Sequence, residues 1–395
     1  RGSRTRHLGR DLRSFKRRKC RTRGNAQVVI SMLKFEPEEI LIERDCESMA
    51  MVTRLKATLP QVPLRVIDHG SEEVSFPAST SADFGAAKKR LYVAKHKGEF
   101  LKKCPGSAGQ VCCNYFVINF ASNCPMDCSY CYLQEYLAYN PALKVFANVD
   151  DLLAEAGELL TKHRRYFFRI GTGEITDSLI LDPYIGFTRE IVPFFAEQPN
   201  VLLELKTKSN CVADLLTLDP KERVVVSWSI NPQTVIDGEE HGTASLLERL
   251  QAARLCQDVG YRLGFHFDPI IEYPDWEKDY KELVDQLFAT VDWRRISWLS
   301  MGVLRNTPGL KRAMRDRLPR TRLLAAEQVP NPDGKLRYFQ PLRIEMYRKM
   351  LGWIRGSAPT VKMYLCMESK HVWEQVFGYA PSCEKELGAQ LDPHV

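Results

Sequence analysis

The sequence predicts an α/β fold centred on a partial, curved (β/α)6 barrel, with an N-terminal α/β region before it and a hairpin and helical extension after it. Two observations carry this. From Tyr115 onward, apolar runs of strand length alternate with stretches of helical period. The runs are also nearly continuous in apolar residues, as in Val224-Val225-Val226-Ser227-Trp228. Strands of that kind are buried on both faces, so the sheet is parallel and covered by helices.

The elements follow in order. Residues 1–24 carry eleven Lys or Arg against one acid, Asp11, a charge of +10 within a chain of net +7, so the remainder is −3. An arm of this composition is expected to be disordered and either attracts nucleic acid or is simply solvated. Residues 25–97 read as an α/β region: a strand at Glu39 to Glu43, a helix at Cys46 to Ala57, a strand at Val62 to Asp68, a linker from Gly70 to Ser81, and a basic strand from Lys88 to Lys97. The barrel is expected over 98–305. Its strands are Tyr115 to Ala121, Tyr166 to Ile170, Val201 to Thr207, Arg223 to Ile230, Tyr261 to Pro269 and Ile296 to Val303. Between them lie helical patterns at Tyr132 to Tyr139, Asp150 to His163, Pro183 to Ala196, Asn210 to Leu216, Ala244 to Val259 and Trp276 to Thr290. Residues 306–395 form the extension, in which Asn331-Pro332-Asp333-Gly334 is a strong turn signal between Arg320 to Val329 and Lys335 to Gln340.

No apolar run approaches the length of a membrane span, so no membrane partner is expected. Twelve cysteines in 395 residues are too few for a disulfide scaffold, and a cytoplasmic, reducing setting is expected.

Chemistry enters at Cys124-Pro-Met-Asp-Cys128-Ser-Tyr-Cys131. Three thiolates on one short loop can hold three irons of a [4Fe-4S] cluster and leave the fourth open to a small molecule. A zinc knuckle would want a fourth Cys or His at matching spacing, and the nearest downstream His, His163, falls in a helical pattern. In a parallel barrel, functional groups collect at the C-terminal ends of strands, and this loop follows the first strand directly. The next strand ends add Gly173 and Glu174, then Lys206, then Ser229 and Asn231. The glycine permits close backbone approach, and the carboxylate, ammonium and hydroxyl suit an amino-acid head group. Each is also an ordinary polar residue for such a place.

The segment Cys124 to Gln134, CPMDCSYCYLQ, resembles the cluster loop of the radical S-adenosylmethionine superfamily and specifically that of the spore photoproduct lyase family. The resemblance continues in order through Phe168 to Asp177, Leu205 to Lys206, Val226 to Asn231 and Leu263 to Tyr280. It implies a carbon-carbon lyase of DNA repair that uses the cluster to cleave S-adenosyl-L-methionine to a 5'-deoxyadenosyl radical. Cys124, Cys128 and Cys131 would bind the cluster, and Gly173, Glu174, Lys206 and Ser229 the cofactor. Tyr130 and Tyr132 would help relay a hydrogen atom, or else pack around the cluster. DNA is the implied substrate, and a flavodoxin or ferredoxin the implied electron donor. Arg337 and Tyr338 fall where the family's hairpin meets the lesion, although a hairpin can equally brace the barrel edge. Other substrates, or a non-enzymatic metal-binding nucleic-acid module, are the alternatives.

One departure bears on mechanism. The family returns a hydrogen atom from a cysteine just after the second strand, and Thr172 occupies that position when Gly-Thr-Gly-Glu is aligned. A hydroxyl O–H bond is too strong for this. Cys366, ending the expected strand Val361 to Leu365, is the first candidate for the missing donor. Cys112 and Cys113 come second, since they precede the first strand and are expected at the N-terminal face of the sheet. Cys104 and Cys383 are further thiols without an assigned role.

Overall fold

A computed structural model of the chain describes residues 35–69 and 81–392. The basic arm, most of the Gly70 to Ser81 linker and the last three residues lie outside the described residues.

Seven strands follow one another as parallel neighbours in chain order: Phe116–Ile118, Phe168–Gly171, Val201–Thr207, Val224–Ser229, Arg262–Ile270, Ile296–Val303 and Met363–Leu365. Leu101–Lys103 adds an antiparallel edge beside Phe116–Ile118. Every residue of Val224–Ser229 and Ile296–Val303 is buried, as their apolar runs require. The helices Val149–Lys162, Phe187–Ala196, Leu246–Val259 and Trp276–Thr290 lie between successive strands. Leu246–Val259 opens with a capping box between Ser245 and Glu248, and Gly260 terminates it at φ 114°.

A second sheet orders its strands Leu64–Ile67, Glu39–Glu43, Arg90–Ala94, Leu143–Phe146 and Ala121–Ser122, all parallel except the last. Its ladder therefore crosses the position near residue 98 where the sequence suggests a boundary.

Four expectations are corrected. Tyr115 to Ala121 is two strands in different sheets, because the chain leaves the barrel after Ile118 and pairs again at Ala121–Ser122. The helix expected over Pro183 to Ala196 breaks at Gly186, whose φ is 67° and whose Cβ position would fall 2.7 Å from Arg54 Nε. Asn210 to Leu216 yields only the 3-10 turn Leu215–Thr217. Thr207 Oγ1 accepts from Ser209 N at 2.8 Å and Ser209 Oγ from Cys211 N at 3.3 Å, hydroxyl bonds that compete with a helix. Arg320 to Val329 contains the 3-10 turn Arg322–Leu324 and pairs with Leu336–Arg337 only at Val329–Pro330. Arg305–Asn306 completes this three-stranded ribbon.

Candidate active site

The cysteine loop is clamped at several points. Asn123, at φ 70°, accepts from Cys124 N at 2.8 Å. Asp127–Cys128 pairs antiparallel with Glu240–His241, and Ser129 N donates to Glu239 O at 2.8 Å. Gln134 Nε2 donates to Cys128 O and Ser129 O at 3.2 and 2.8 Å. Burial pushes the Cys124 thiol up to about 12 and the Cys128 thiol higher still, with the Lys88 and Lys208 ammoniums acting against it. Metal binding to such thiols must release protons. Ser129 Oγ, inside the loop, is buried with no hydrogen-bond partner among the described residues.

Tyr130 and Tyr132 point to different surroundings. The Tyr130 hydroxyl donates to Glu240, whose carboxylate pairs with Arg249 at 2.6 Å with neither side chain exposed. Lys208 Nζ lies 5.6 Å from the Tyr130 ring centroid. Tyr132 is 42 % exposed and donates to Glu174 O at 2.8 Å. It thus ties the cysteine loop to the end of the second strand.

The strand-end residues converge around the barrel mouth. Burial raises the Glu174 carboxyl above its ordinary range. The Lys206 ammonium acts electrostatically on Cys104, His266, Asp268 and Cys366. Among the described residues, the Glu174 carboxylate, Lys206 Nζ and the Ser229 hydroxyl have no hydrogen-bond partner. One unpaired acceptor and two unpaired donors match the ammonium and carboxylate of an amino-acid head group, so the residues present fit the methionine end of a bound cofactor. Gly173 also has a packing reason to be glycine. A Cβ there would lie 2.8 Å from Lys206 Cβ and 3.0 Å from Lys206 O, so the glycine lets two strand ends pack.

Below the mouth sits a polar floor with no obvious signature in the sequence. Glu204 accepts from His266 Nε2 at 2.9 Å, Trp298 Nε1 at 3.0 Å, Ser227 and Tyr115. Burial opposes its ionisation, but the His266 ring, Arg169 and these bonds hold it far below the usual carboxylate range. Gly171 and Gly264 make the room, since a Cβ would strike Tyr115 at the first and Ser227 Oγ at the second. The Arg169 guanidinium stacks over Trp298 at 4.2 Å. Higher up, Arg305 grips Asp268 through two bonds of 3.0 and 2.9 Å and reaches Cys366 Sγ at 3.8 Å.

Comparison with known proteins decides the family. The family model for spore photoproduct lyase matches residues 35–335. The chain belongs to the spore photoproduct lyase family. Among curated relatives, the spore photoproduct lyase of Geobacillus sp. (strain Y412MC61) is 30% identical over 297 residues, 74% of this chain and 85% of that protein. Those of Clostridium acetobutylicum and Bacillus subtilis are each 28% identical, the alignments spanning 58% and 63% of their lengths. A spore photoproduct lyase variant with bound AdoMet and dinucleoside spore photoproduct superposes with a TM-score of 0.74 at 26% identity, covering 84% of this chain and 99% of that one. A spore photoproduct lyase complexed with the dinucleoside alone gives the same score and coverage.

Within this family framework, several residues lie elsewhere than their sequence positions suggest. Thr172 is fully buried, its hydroxyl donating to Ser178 Oγ at 2.7 Å, so it faces packed protein and no reacting group. Cys366 does follow the last barrel strand, and burial pushes its thiol up to about 12. Cys113 O accepts from Arg169 Nη1 at 3.3 Å, and burial raises the Cys113 thiol to about 11. Arg337 and Tyr338 are not presented to a ligand, each being 1 % exposed. Arg337 is locked to Asp333 at 2.5 and 2.7 Å, and the Tyr338 hydroxyl accepts from Glu272 N at 3.2 Å. Just after the ribbon, Phe339 is a large apolar side chain that is 63 % exposed, and no pattern in the sequence sets it apart from a buried phenylalanine.

Proposed function

We propose that the chain is a radical S-adenosyl-L-methionine lyase that repairs spore photoproduct in DNA with a [4Fe-4S] cluster. The observation that carries this is the cysteine loop standing at the mouth of a barrel whose strand ends offer an unpaired carboxylate, ammonium and hydroxyl. The match over 99% of a lyase with bound AdoMet and dinucleoside spore photoproduct supports it. When bound, cluster and cofactor supply a 5'-deoxyadenosyl radical able to take hydrogen from an unactivated carbon.

The residues of this chain then divide the work. Cys124, Cys128 and Cys131 bind the three protein-held irons. Glu174 accepts from the methionine ammonium, while Lys206 and Ser229 donate to its carboxylate. Tyr130, anchored by Glu240, stiffens the loop, and Tyr132 fixes Glu174 to it. Cys366 stands as the hydrogen-atom donor: its S–H bond would break as a C–H bond forms on the thymine-centred radical, and Tyr130 and Tyr132 are the side chains that would help return a hydrogen atom to the thiyl. Arg337 and Tyr338 brace the ribbon, and Phe339 meets the substrate. A flavodoxin- or ferredoxin-type protein delivers the electron.

Anaerobic reconstitution followed by reduction with cofactor present tests the enzyme reading. Formation of 5'-deoxyadenosine is expected; iron incorporation without it would defeat the reading.

A further inference from the structure

The helix Pro308–Arg317 and the connection after it carry six Lys or Arg between residues 308 and 322 against one acid, Asp316, on a chain body of net negative charge. Arg312, Arg315, Arg320 and Arg322 are exposed, and among the described residues their side chains have no ion-pair or hydrogen-bond partner. Lys311 is depressed first by burial and then by Arg315 one turn on, so like charges are held close together. Among the described residues, Arg317 pairs with Asp127 and no acid pairs with these four arginines. Exposed like charges held side by side produce a positive field that suits a polyanionic partner.

The strip is fastened to the cysteine loop at two points. Arg317, on the buried edge of the helix, donates to Asp127 at 2.9 and 3.1 Å and to Gln134, while its guanidinium covers Phe84 at 4.2 Å. Asp127 immediately precedes Cys128. At the second point, Thr321 Oγ1 and Arg322 N donate to the Glu239 carboxylate at 2.7 and 3.0 Å, and Glu239 O accepts from Ser129 N. At the first point the strip meets the cluster-binding segment directly, at Asp127 and Gln134, and at the second it does so through Glu239.

We propose that this arginine strip is the docking surface for an acidic one-electron carrier protein that reduces the cluster. This rests on the radical-enzyme reading above. The carrier gives up one electron and the cluster gains it; no bond is made or broken. Nucleic acid is the other polyanion such a strip could hold. The attachment to Asp127, which adjoins Cys128, and to Gln134 of the same loop, rather than to the mouth residues Lys206 and Cys366, favours the carrier.

The test uses the full chain, iron-loaded, and the triple variant Arg312→Glu/Arg315→Glu/Arg320→Glu, with Arg→Lys at the same positions as a charge-preserving control. Binding of an acidic flavodoxin is titrated, cluster bleaching by reduced flavodoxin and by dithionite is followed by stopped flow, and binding of a DNA duplex is measured. Charge reversal is expected to weaken flavodoxin binding and slow flavodoxin-driven bleaching by about tenfold or more and to flatten their salt dependence. Dithionite bleaching and DNA binding should be unchanged, and the Lys variant should behave as wild type. Unchanged flavodoxin binding and bleaching would overturn the proposal, as would an equal or larger loss of DNA affinity. Wild type that dithionite cannot bleach would instead defeat the cluster reading itself.

Discussion

Arg249 and Glu240 form an ion pair of 2.6 Å in which neither side chain is exposed, and the same carboxylate receives the Tyr130 hydroxyl. Glu240 is also the backbone partner of Cys128. Buried charge is thus invested in holding the loop that carries the cysteines. Breaking one side of such a pair leaves an uncompensated charge and costs about 3–5 kcal/mol. Arg249→Met is expected to lose that much in denaturant unfolding of the metal-free protein, and Arg249→Met/Glu240→Gln to lose much less.

The same pair sets an acid limit. Burial works against ionised Glu240, yet Arg249, Lys208 and the bonds from Tyr130 and Asn231 outweigh it and depress its pKa. A depressed folded pKa gives stability that is full above the unfolded value of about 4.3 and is lost as pH falls through the folded value. Wild type should therefore lose stability more steeply below about pH 4.3 than Glu240→Gln does. Parallel curves would show that the pair does not carry this dependence.

Replacing Cys124, Cys128 or Cys131 by Ala should each abolish the brown absorbance and cofactor cleavage, since two thiolates cannot hold the cluster. Lys206→Ala should leave iron content intact and weaken S-adenosyl-L-methionine binding by about tenfold, the loss of a charge-assisted bond. Equilibrium dialysis checks it; unchanged affinity would take Lys206 out of the site.

The distribution of what sequence could and could not reveal follows from range. Val201–Thr207, Trp276–Thr290 and Ile296–Val303 are legible to the residue because a buried strand or amphipathic helix writes its period locally. The cysteine loop is legible because its ligands are consecutive in the chain. The floor around Glu204 is not, since its partners Ser227, His266 and Trp298 come from three other strands and Tyr115 from the residue before a fourth, all distant in the chain. Burial of Arg337 likewise depends on Asp333 curling back across the turn, which composition does not announce.

If Cys366 is the hydrogen donor, Cys366→Ala should still form 5'-deoxyadenosine but divert the substrate radical to adducts. Thr172→Cys should not rescue it, because that side chain faces Ser178. With its thiol held up to about 12, Cys366 should keep its S–H bond and give adduct-free product across pH 7 to 9, where an ordinary thiol of pKa about 8.5 ionises. Clean product from Cys366→Ala would remove it from the mechanism.

The most direct measurement is single-turnover reaction of reconstituted wild type with dinucleoside spore photoproduct, S-adenosyl-L-methionine and reductant under anaerobic conditions, with products resolved by mass. Restored thymine dinucleoside, formed only when cofactor and cluster are both present, is the expected result. Cofactor cleavage to 5'-deoxyadenosine with the photoproduct left untouched would contradict repair of this lesion.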